Sequence, residues 1–535
     1  MPLKPKMVTF GPGSTADVRP EDFGNKAAVL AKIASLGIPV PPGFSLGVSV
    51  CDDYYKNDER LPGYIDELLV RGVTYLERVT GLTFGSERRP LLVSVRSGAP
   101  VSMPGIMDTV LNVGLNKDTL RGLIYMTGNP RFAWDTYRRY IENFGEIVLG
   151  YDAADFRPAL QDVMAAEGVD DEAGLDFYSL KELTERYERI FQHDGDRRFP
   201  WKVQDQLKIA AMAVIRSWSS ARAKSFRKMN LVRNVRGTAV TVQAMVYGNM
   251  GLNSGAGVAF SRNPWTGDKE LLVDFKFGAQ GEDVVSGNQG AATQRELSAM
   301  MPDVYKDLYG VAQKLELFFK DMQDIEFTVQ EGRLFILQSR SGKRGPYAAL
   351  RIATDMAADG LITPREGLAR LKDVDLDAIV IQKLLSDEPP LGSGISASGG
   401  IAAGRIALTS ERAEADGLRI PVILVRETAS PDDLPGINAA LGLLTARGAR
   451  TSHAAVIARQ LGKVCIVNCP GLSTDVPHHR CRIGSIMLRQ GEEITIDGSS
   501  GKIYRGVIPA SNEKPEGLLE IVRKWREQQA GKTKK

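Results

Sequence analysis

Thr451-Ser452-His453-Ala454-Ala455-Val456-Ile457-Ala458-Arg459 is the stretch on which the reading of this chain turns. Two hydroxyl residues stand immediately before a histidine, and an alanine-rich helical pattern follows. Thr451 or Ser452 can cap that helix through its side-chain oxygen. His453 then lies in or beside the first turn, where free backbone N–H groups and the positive end of the helix dipole favour an anion. A histidine that carries a phosphoryl group needs such surroundings. A histidine that merely caps or packs at a helix start would occupy the same position. The chain has four histidines in all, so one standing behind two hydroxyls is worth following.

The bulk composition narrows the field. At 535 residues the chain is too long for one core, and two to four domains are expected. A hydrophobic content of 43% with 25% charged residues is ordinary for a globular protein. The net charge of +3 gives no argument for nucleic acid or membrane binding. No run approaches the eighteen or so apolar residues of a membrane span, and the first thirty residues carry charges without an apolar signal core. A cytoplasmic protein is expected. Cys51, Cys465, Cys469 and Cys481 are too few and too scattered for a disulfide framework or a four-ligand zinc site. Cys465 alternates with apolar neighbours in Val464-Cys465-Ile466-Val467 and reads as a buried strand residue.

Working outward, the pattern predicts α/β and α+β domains in series. Residues 1–345 mix short strands, glycine-rich loops and helices. Strand-like runs stand at Leu91–Val95, Ala239–Gln243 and Leu334–Gln338, and residues 176–230 read as largely helical with a break at Phe199-Pro200. Residues 346–388 read as a helical connector ending in a linker, and Pro389–Gly394 continues the linker signal. Residues 389–508 form a further domain of short strands and helices, closing on two alternating strands within Glu493–Tyr504. A tail, 509–535, holds one short amphipathic helix and a basic end expected to fray.

Several segments of the first region could cradle phosphates, and each is weak alone. Lys26 in Gly24-Asn25-Lys26-Ala27 could reach a phosphate as a point charge, or be a solvated lysine. Arg96 ends the strand of Ser94-Val95-Arg96-Ser97-Gly98, a good place for a guanidinium fork. Ser102–Thr109 follows as a Gly/Pro-containing loop, and Asn249–Gly257 is either another phosphate loop or simply a hairpin. The most chemical pair is Glu326 and Gln338. They lie on alternating strands joined by the turn Gln330-Glu331-Gly332-Arg333. Two oxygen-bearing side chains on neighbouring strands suit a hard cation such as Mg²⁺ bridging nucleotide phosphates. A polar face turned to water explains the pattern equally well.

Taken together, these segments resemble the pyruvate, phosphate dikinase family of PEP-utilizing enzymes. The resemblance rests on Leu444–Lys463 around His453, and on Gly37–Phe44, Ser94–Gly98, Ser102–Asn112, Arg131-Phe132-Ala133, Gln280–Val285 and Asp324–Arg340. It runs from about residue 8 to residue 508. It implies an ATP-grasp nucleotide-binding region followed by a swivelling phosphohistidine domain, with ATP as substrate and Mg²⁺ as cofactor. By carry-over, His453 is the phosphoryl carrier. Lys26, Arg96 and Arg340 contact ATP phosphates, Glu282 the ribose or phosphate region, and Glu326 and Gln338 hold Mg²⁺. The sequence departs from the family at Gly24-Asn25-Lys26-Ala27, where a run of glycines usually surrounds the lysine. Arg450 and Arg459, flanking His453, are candidates for contacting its phosphoryl group.

The family's full-length enzymes carry a further C-terminal barrel for pyruvate. Only residues 509–535 follow the carrier region here, against the roughly 250 residues of a TIM barrel. The expectation is that ATP and phosphate are used on this chain and that a separate subunit or protein binds the acceptor. An ATP-binding regulatory or scaffold paralogue, and a phosphotransferase acting on an acceptor other than pyruvate, are the alternative readings.

Overall fold

The computed structural model describes residues 6–14, 17–100, 103, 107, 109–192, 198–229, 235–286, 292–386, 388–450 and 452–533; for Met229, Glu282, Val285, Ser286, Pro431, His453 and 531–533 it describes the backbone. The chain forms two compact units. The first is residues 1–251 with 335–338, and the second is 252–334 with 339–535. The division at Gly251 falls inside the region expected to run to residue 345.

The first unit is built on a five-stranded sheet. Its order is Met7–Phe10, Gly43–Leu46, Ala239–Ala244, Val93–Gly98, Thr109–Val113, and every adjacent pair runs antiparallel. Helices Pro20–Ser35, Pro130–Phe144 and Val203–Ser217 pack on it, and Phe177–Ile190 packs on Pro130–Phe144. Their cores are rich in aromatics, with Tyr137, Tyr140, Phe144, Phe156 and Tyr187 fully buried. The helix pair either side of Phe199-Pro200 matches the break expected there.

Two sheets make up most of the second unit. One has five strands, in the order Ala292–Thr293, Leu272–Phe277, Gly255–Phe260, Gln323–Gln330, Arg333–Ser341. The last two strands are the hairpin expected around Glu331-Gly332, and both turn residues have positive φ, 49° and 75°. The other sheet has eight strands. At its centre Ile401–Ala407, Val422–Arg426, Gly442–Thr445 and Val464–Val467 run parallel to one another. Glu493–Asp497 and Lys502–Arg505 add an antiparallel hairpin on one side, and Ile395–Ser398 closes the other edge. Three of the parallel strands, Val422–Arg426, Gly442–Thr445 and Val464–Val467, are almost continuously buried, as parallel strands covered on both faces are. Cys465 lies fully buried in one of them, and burial pushes its thiol up to about 12.

Two expectations are corrected. The helical reading of 345–385 holds for Pro346–Ala358 and Pro364–Arg370, but Ile381–Leu384 is a strand. Its partner is Ala510–Glu513, far along the chain, so no local pattern could announce it. The amphipathic helix expected in the tail is present but is not short, and the end of the basic segment, 534–535, lies outside the described residues. The helix, Glu516–Thr533, buries Leu519, Val522 and Trp525 against Leu350, Ala353, Leu371, Leu376 and Ile379. Gly367 lies so close to Trp525 that an added Cβ would meet the indole at 2.7 Å. Among the described residues, no helix is long and apolar enough to cross a membrane.

Candidate functional site

The loop leaving strand Gly442–Thr445 turns through Gly448, whose φ of 133° is closed to most side chains, and enters the helix His453–Gln460. Ser452 is the cap: its hydroxyl accepts from the Ala455 N–H at 3.4 Å. His453 is therefore the first helical residue, as the capping pattern requires. Its side chain, like the whole of Thr451, lies outside the described residues. Ala454, Ala455 and Ala458 are buried among Leu443, Cys465 and Val467. That is why the helix needs alanine on this face.

Arg450 fixes this loop in space. Its Nη1 donates to Asp274 Oδ1 at 2.6 Å, its backbone N–H to Asp274 Oδ2 at 3.0 Å, and its Nε to the Ser396 carbonyl at 3.1 Å. The two side chains are 9% and 2% exposed, so this is a buried pair. Arg459 braces the loop from the helix, donating from Nη2 to the Arg450 carbonyl at 2.7 Å. Its guanidinium lies over the Trp265 ring, 4.9 Å from the centroid. Burial holds the Arg459 pKa below its ordinary value. Both arginines proposed to flank the phosphoryl group thus have protein partners in this arrangement.

Asp274 is in register with Val258, and Val258 with Glu326. Residues opposite one another on an antiparallel sheet share a face, so Asp274 and Glu326 stand in one transverse row. Two residues before Glu326, and hence on that face, is Asp324, which accepts from Arg340 Nε at 2.8 Å. Burial raises the Asp324 pKa, partly offset by Arg340 and reinforced by Glu326. Its Oδ1 is buried without a hydrogen-bond partner. The second unit therefore gathers Glu326, Arg340, Arg450, Arg459 and the start of the His453 helix about one sheet face. Glu282 is the second residue of the helix Gly281–Ser286 in the same unit, and its side chain lies outside the described residues.

The first unit holds Lys26, Arg96 and Gln338. The helix bearing Lys26 kinks at Gly24 (φ 80°, ψ 156°), where the backbone presses against the end of the Arg96 strand. A Cβ at Gly24 would stand 1.7 Å from the Gly98 carbonyl oxygen, and Asn25 N–H donates to the Ala99 carbonyl at 3.1 Å. A single glycine thus provides the close approach at this point. Arg96 Nη1 donates to the Leu337 carbonyl at 3.5 Å, next to Gln338. Ile336 N–H donates to the Pro39 carbonyl at 2.8 Å, tying this part of the strand to the first unit. Of the loop Ser102–Thr109, only Met103, Met107 and Thr109 are among the described residues.

Asp274, Asp324 and Trp265 escaped the sequence reading. One signal was present for Asp274, an acid in the middle of the otherwise apolar strand start Leu272-Val273-Asp274-Phe275. Removing it should be costly. Asp274→Ala leaves the Arg450 guanidinium buried and unpaired, an expected loss of about 3–5 kcal/mol, whereas the double variant Asp274→Leu/Arg450→Met removes both charges and should regain most of it. Urea midpoints measure both, and a single variant as stable as the parent would refute the ledger.

Among the described residues, no group of three or more His, Cys, Asp or Glu side chains is arranged to hold a metal. In the second unit Glu326 and the neighbouring Asp324 supply carboxylate oxygens, the donor type a hard cation takes together with phosphates and water.

Residues 64–296 match the model for the pyruvate phosphate dikinase AMP/ATP-binding domain, and residues 418–501 match the mobile domain of PEP-utilising enzymes. The first stretch includes Arg96 and Glu282, and the second includes Arg450, His453 and Arg459. Lys26, Glu326, Gln338 and Arg340 lie outside both. The chain is 41% identical over 511 residues to pyruvate, phosphate dikinase of Clostridium symbiosum, covering 94% of this chain and 58% of that protein. It is 40% identical over 529 residues to pyruvate, phosphate dikinase 1, chloroplastic, of Zea mays (98% and 56%). A Rhizobium meliloti (strain 1021) pyruvate, phosphate dikinase is 40% identical over 535 residues (97% and 60%). The chain therefore spans a little over half the length of these relatives.

Proposed function

We propose that this chain, which belongs to the pyruvate, phosphate dikinase family, uses ATP and inorganic phosphate to load His453 with a phosphoryl group. The observation that carries the reading is the seating of the His453 loop. Arg450 grips Asp274 with both guanidinium and backbone N–H, in the transverse sheet row that also bears Glu326.

The neutral imidazole of His453 attacks the β-phosphorus of ATP. An N–P bond forms, the bond from that phosphorus to the α–β bridging oxygen breaks, AMP leaves, and the imidazole loses its ring proton. Inorganic phosphate then attacks the outer phosphorus of the pyrophosphoryl group. Diphosphate leaves and phosphohistidine remains. Lys26, Arg96 and Arg340 are assigned to the ATP phosphates, where fixed positive charge stabilises the transferring oxygens. Glu282 is assigned to the ribose or phosphate region. Glu326 and Gln338 would hold Mg²⁺, which when bound neutralises charge on the phosphate oxygens. Arg450 and Arg459 become available to a phosphoryl group on His453 when they release their present partners.

On this reading phosphohistidine passes its phosphoryl group to an acceptor, pyruvate or another molecule, and the setting is cytoplasmic. The test uses ATP labelled at the β phosphate, with Mg²⁺ and phosphate. Label should enter the protein in an alkali-stable, acid-labile form, with about one AMP per labelled chain. Absence of label, or label that resists acid, would overturn the reading.

A further inference from the structure

We infer that Gln382 is a positioning residue: a pin across the hinge of the eight-stranded domain that holds it in the orientation where Arg450 meets Asp274. The inference rests on the carrier reading of that domain.

The hinge can be located by asking where backbone bonds stop. Residues Ile381–Leu384 pair with Ala510–Glu513, Gln382 lying opposite Asn512, and Leu385 N–H donates to the Pro509 carbonyl at 2.8 Å. This strand pair belongs to the chain leading from the helices Pro346–Ala358 and Pro364–Arg370 and into Glu516–Thr533, which pack on one another. On the far side, Leu391 N–H already bonds the Ile503 carbonyl at 2.7 Å, inside the eight-stranded sheet. Ile508 N–H donates to Thr495 Oγ1 at 2.9 Å, and that hydroxyl donates to the Gly506 carbonyl at 2.7 Å. The linker signal at Pro389–Gly394 is therefore only partly hinge, since Leu391–Gly394 is held by the sheet. Among the described residues, what remains between the two bodies is 386 and 388–390 on the way in and the Ile508-Pro509 junction on the way out. The outgoing crossing is the narrower, and the proline ring fixes one of its few torsions.

Beside these crossings, one side chain bridges the hinge. Gln382 Oε1 accepts from the Ile401 N–H at 2.8 Å, while its Nε2 faces Asn512 Oδ1 at 3.4 Å. Ile401 is the first residue of a central strand of the eight-stranded sheet and moves with it. Gln382 stays with the strand pair. Rotation about the hinge must break the Gln382–Ile401 bond, so the bond favours the orientation in which it is made. That orientation is the one with Arg450 on Asp274.

The experiment compares Gln382→Leu, which keeps the bulk and removes the acceptor, with Gln382→Glu, which keeps an acceptor oxygen. Two readouts are used: the rate of His453 phosphorylation by ATP, and hydrogen exchange at the Ile401 and Arg450 amides. The Arg450 amide is donated to Asp274, so its exchange reports seating without any catalysis. Gln382→Leu should speed exchange at both amides and slow phosphorylation about two- to tenfold, the worth of one neutral hydrogen bond, with the KM for ATP unchanged. Gln382→Glu should restore both. Parental exchange at Arg450 in Gln382→Leu, or a Gln382→Glu chain no better than Gln382→Leu, would overturn the pin. If the parent chain forms no phosphohistidine while Arg450 exchange responds as expected, the proposed function fails and the pin stands.

Discussion

A His453→Ala chain given ATP, phosphate and Mg²⁺ should take up no alkali-stable label and should release AMP at a rate lower by about 10⁴-fold or more, the scale on which losing a covalent nucleophile is felt. The change should not disturb the fold. His453 is the first residue of its helix, and the cap belongs to Ser452, which keeps its bond to Ala455. Alanine is the best helix former, and the residues that anchor the helix, Ala454, Ala455 and Ala458, are untouched. Circular dichroism and the urea midpoint should match the parent. Label retained in the variant would place the carrier elsewhere in the chain, and loss of label with loss of fold would show that His453 is structural.

Substituting the two proposed metal-holding residues should have the next largest effect. Glu326→Ala and Gln338→Ala are each expected to slow His453 phosphorylation by about 10²-fold or more, in line with the loss of other preorganised contacts to developing charge. Both residues are half-buried, not core. The opposite face of the second unit's sheet is held by apolar contacts, including Phe275 stacked on Phe327 with ring centroids 5.8 Å apart. The fold should survive. Glu326→Ala also removes a negative neighbour that pushes the Asp324 pKa up. The loss should show in the dependence on Mg²⁺ concentration, the variants needing more metal to reach half their own maximal rate. A double variant working at nearly the parental rate, with parental Mg²⁺ dependence, would remove both residues from the site.

What the sequence disclosed and what it hid divide along a physical line. The Ser452 cap, the Glu331-Gly332 turn, the buried strand of Cys465 and the hairpin of Glu493–Asp497 with Lys502–Arg505 are written in near neighbours. Local propensity and alternation were enough to find them. Asp274 and Trp265 became visible only once distant segments met, because the residues that give them meaning, Arg450 and Arg459, are nearly two hundred positions away along the chain. The strand Ile381–Leu384 is the clearest instance. Four residues with apolar ends fit a helix turn as well as a strand, and only pairing with Ala510–Glu513 decides between them. Among proposed site residues, Lys26 and Arg96 were found singly, but their meeting through Gly24 and Gly98 depends on a close backbone approach that no motif spells out.

That strand pair has a consequence for how such a protein can change over time. The chain enters the eight-stranded domain just after Leu384 and leaves it just before Ala510, and these two residues are cross-strand partners. The whole domain is thus a loop tied at its neck. The entropic cost of closing a loop rises only slowly with its length, so the enclosed segment can grow, shrink or be exchanged while the neck and the helices behind it keep their contacts. The neck is a socket into which a different cargo-bearing module could be spliced at 385–509 without redesigning the surface that receives it.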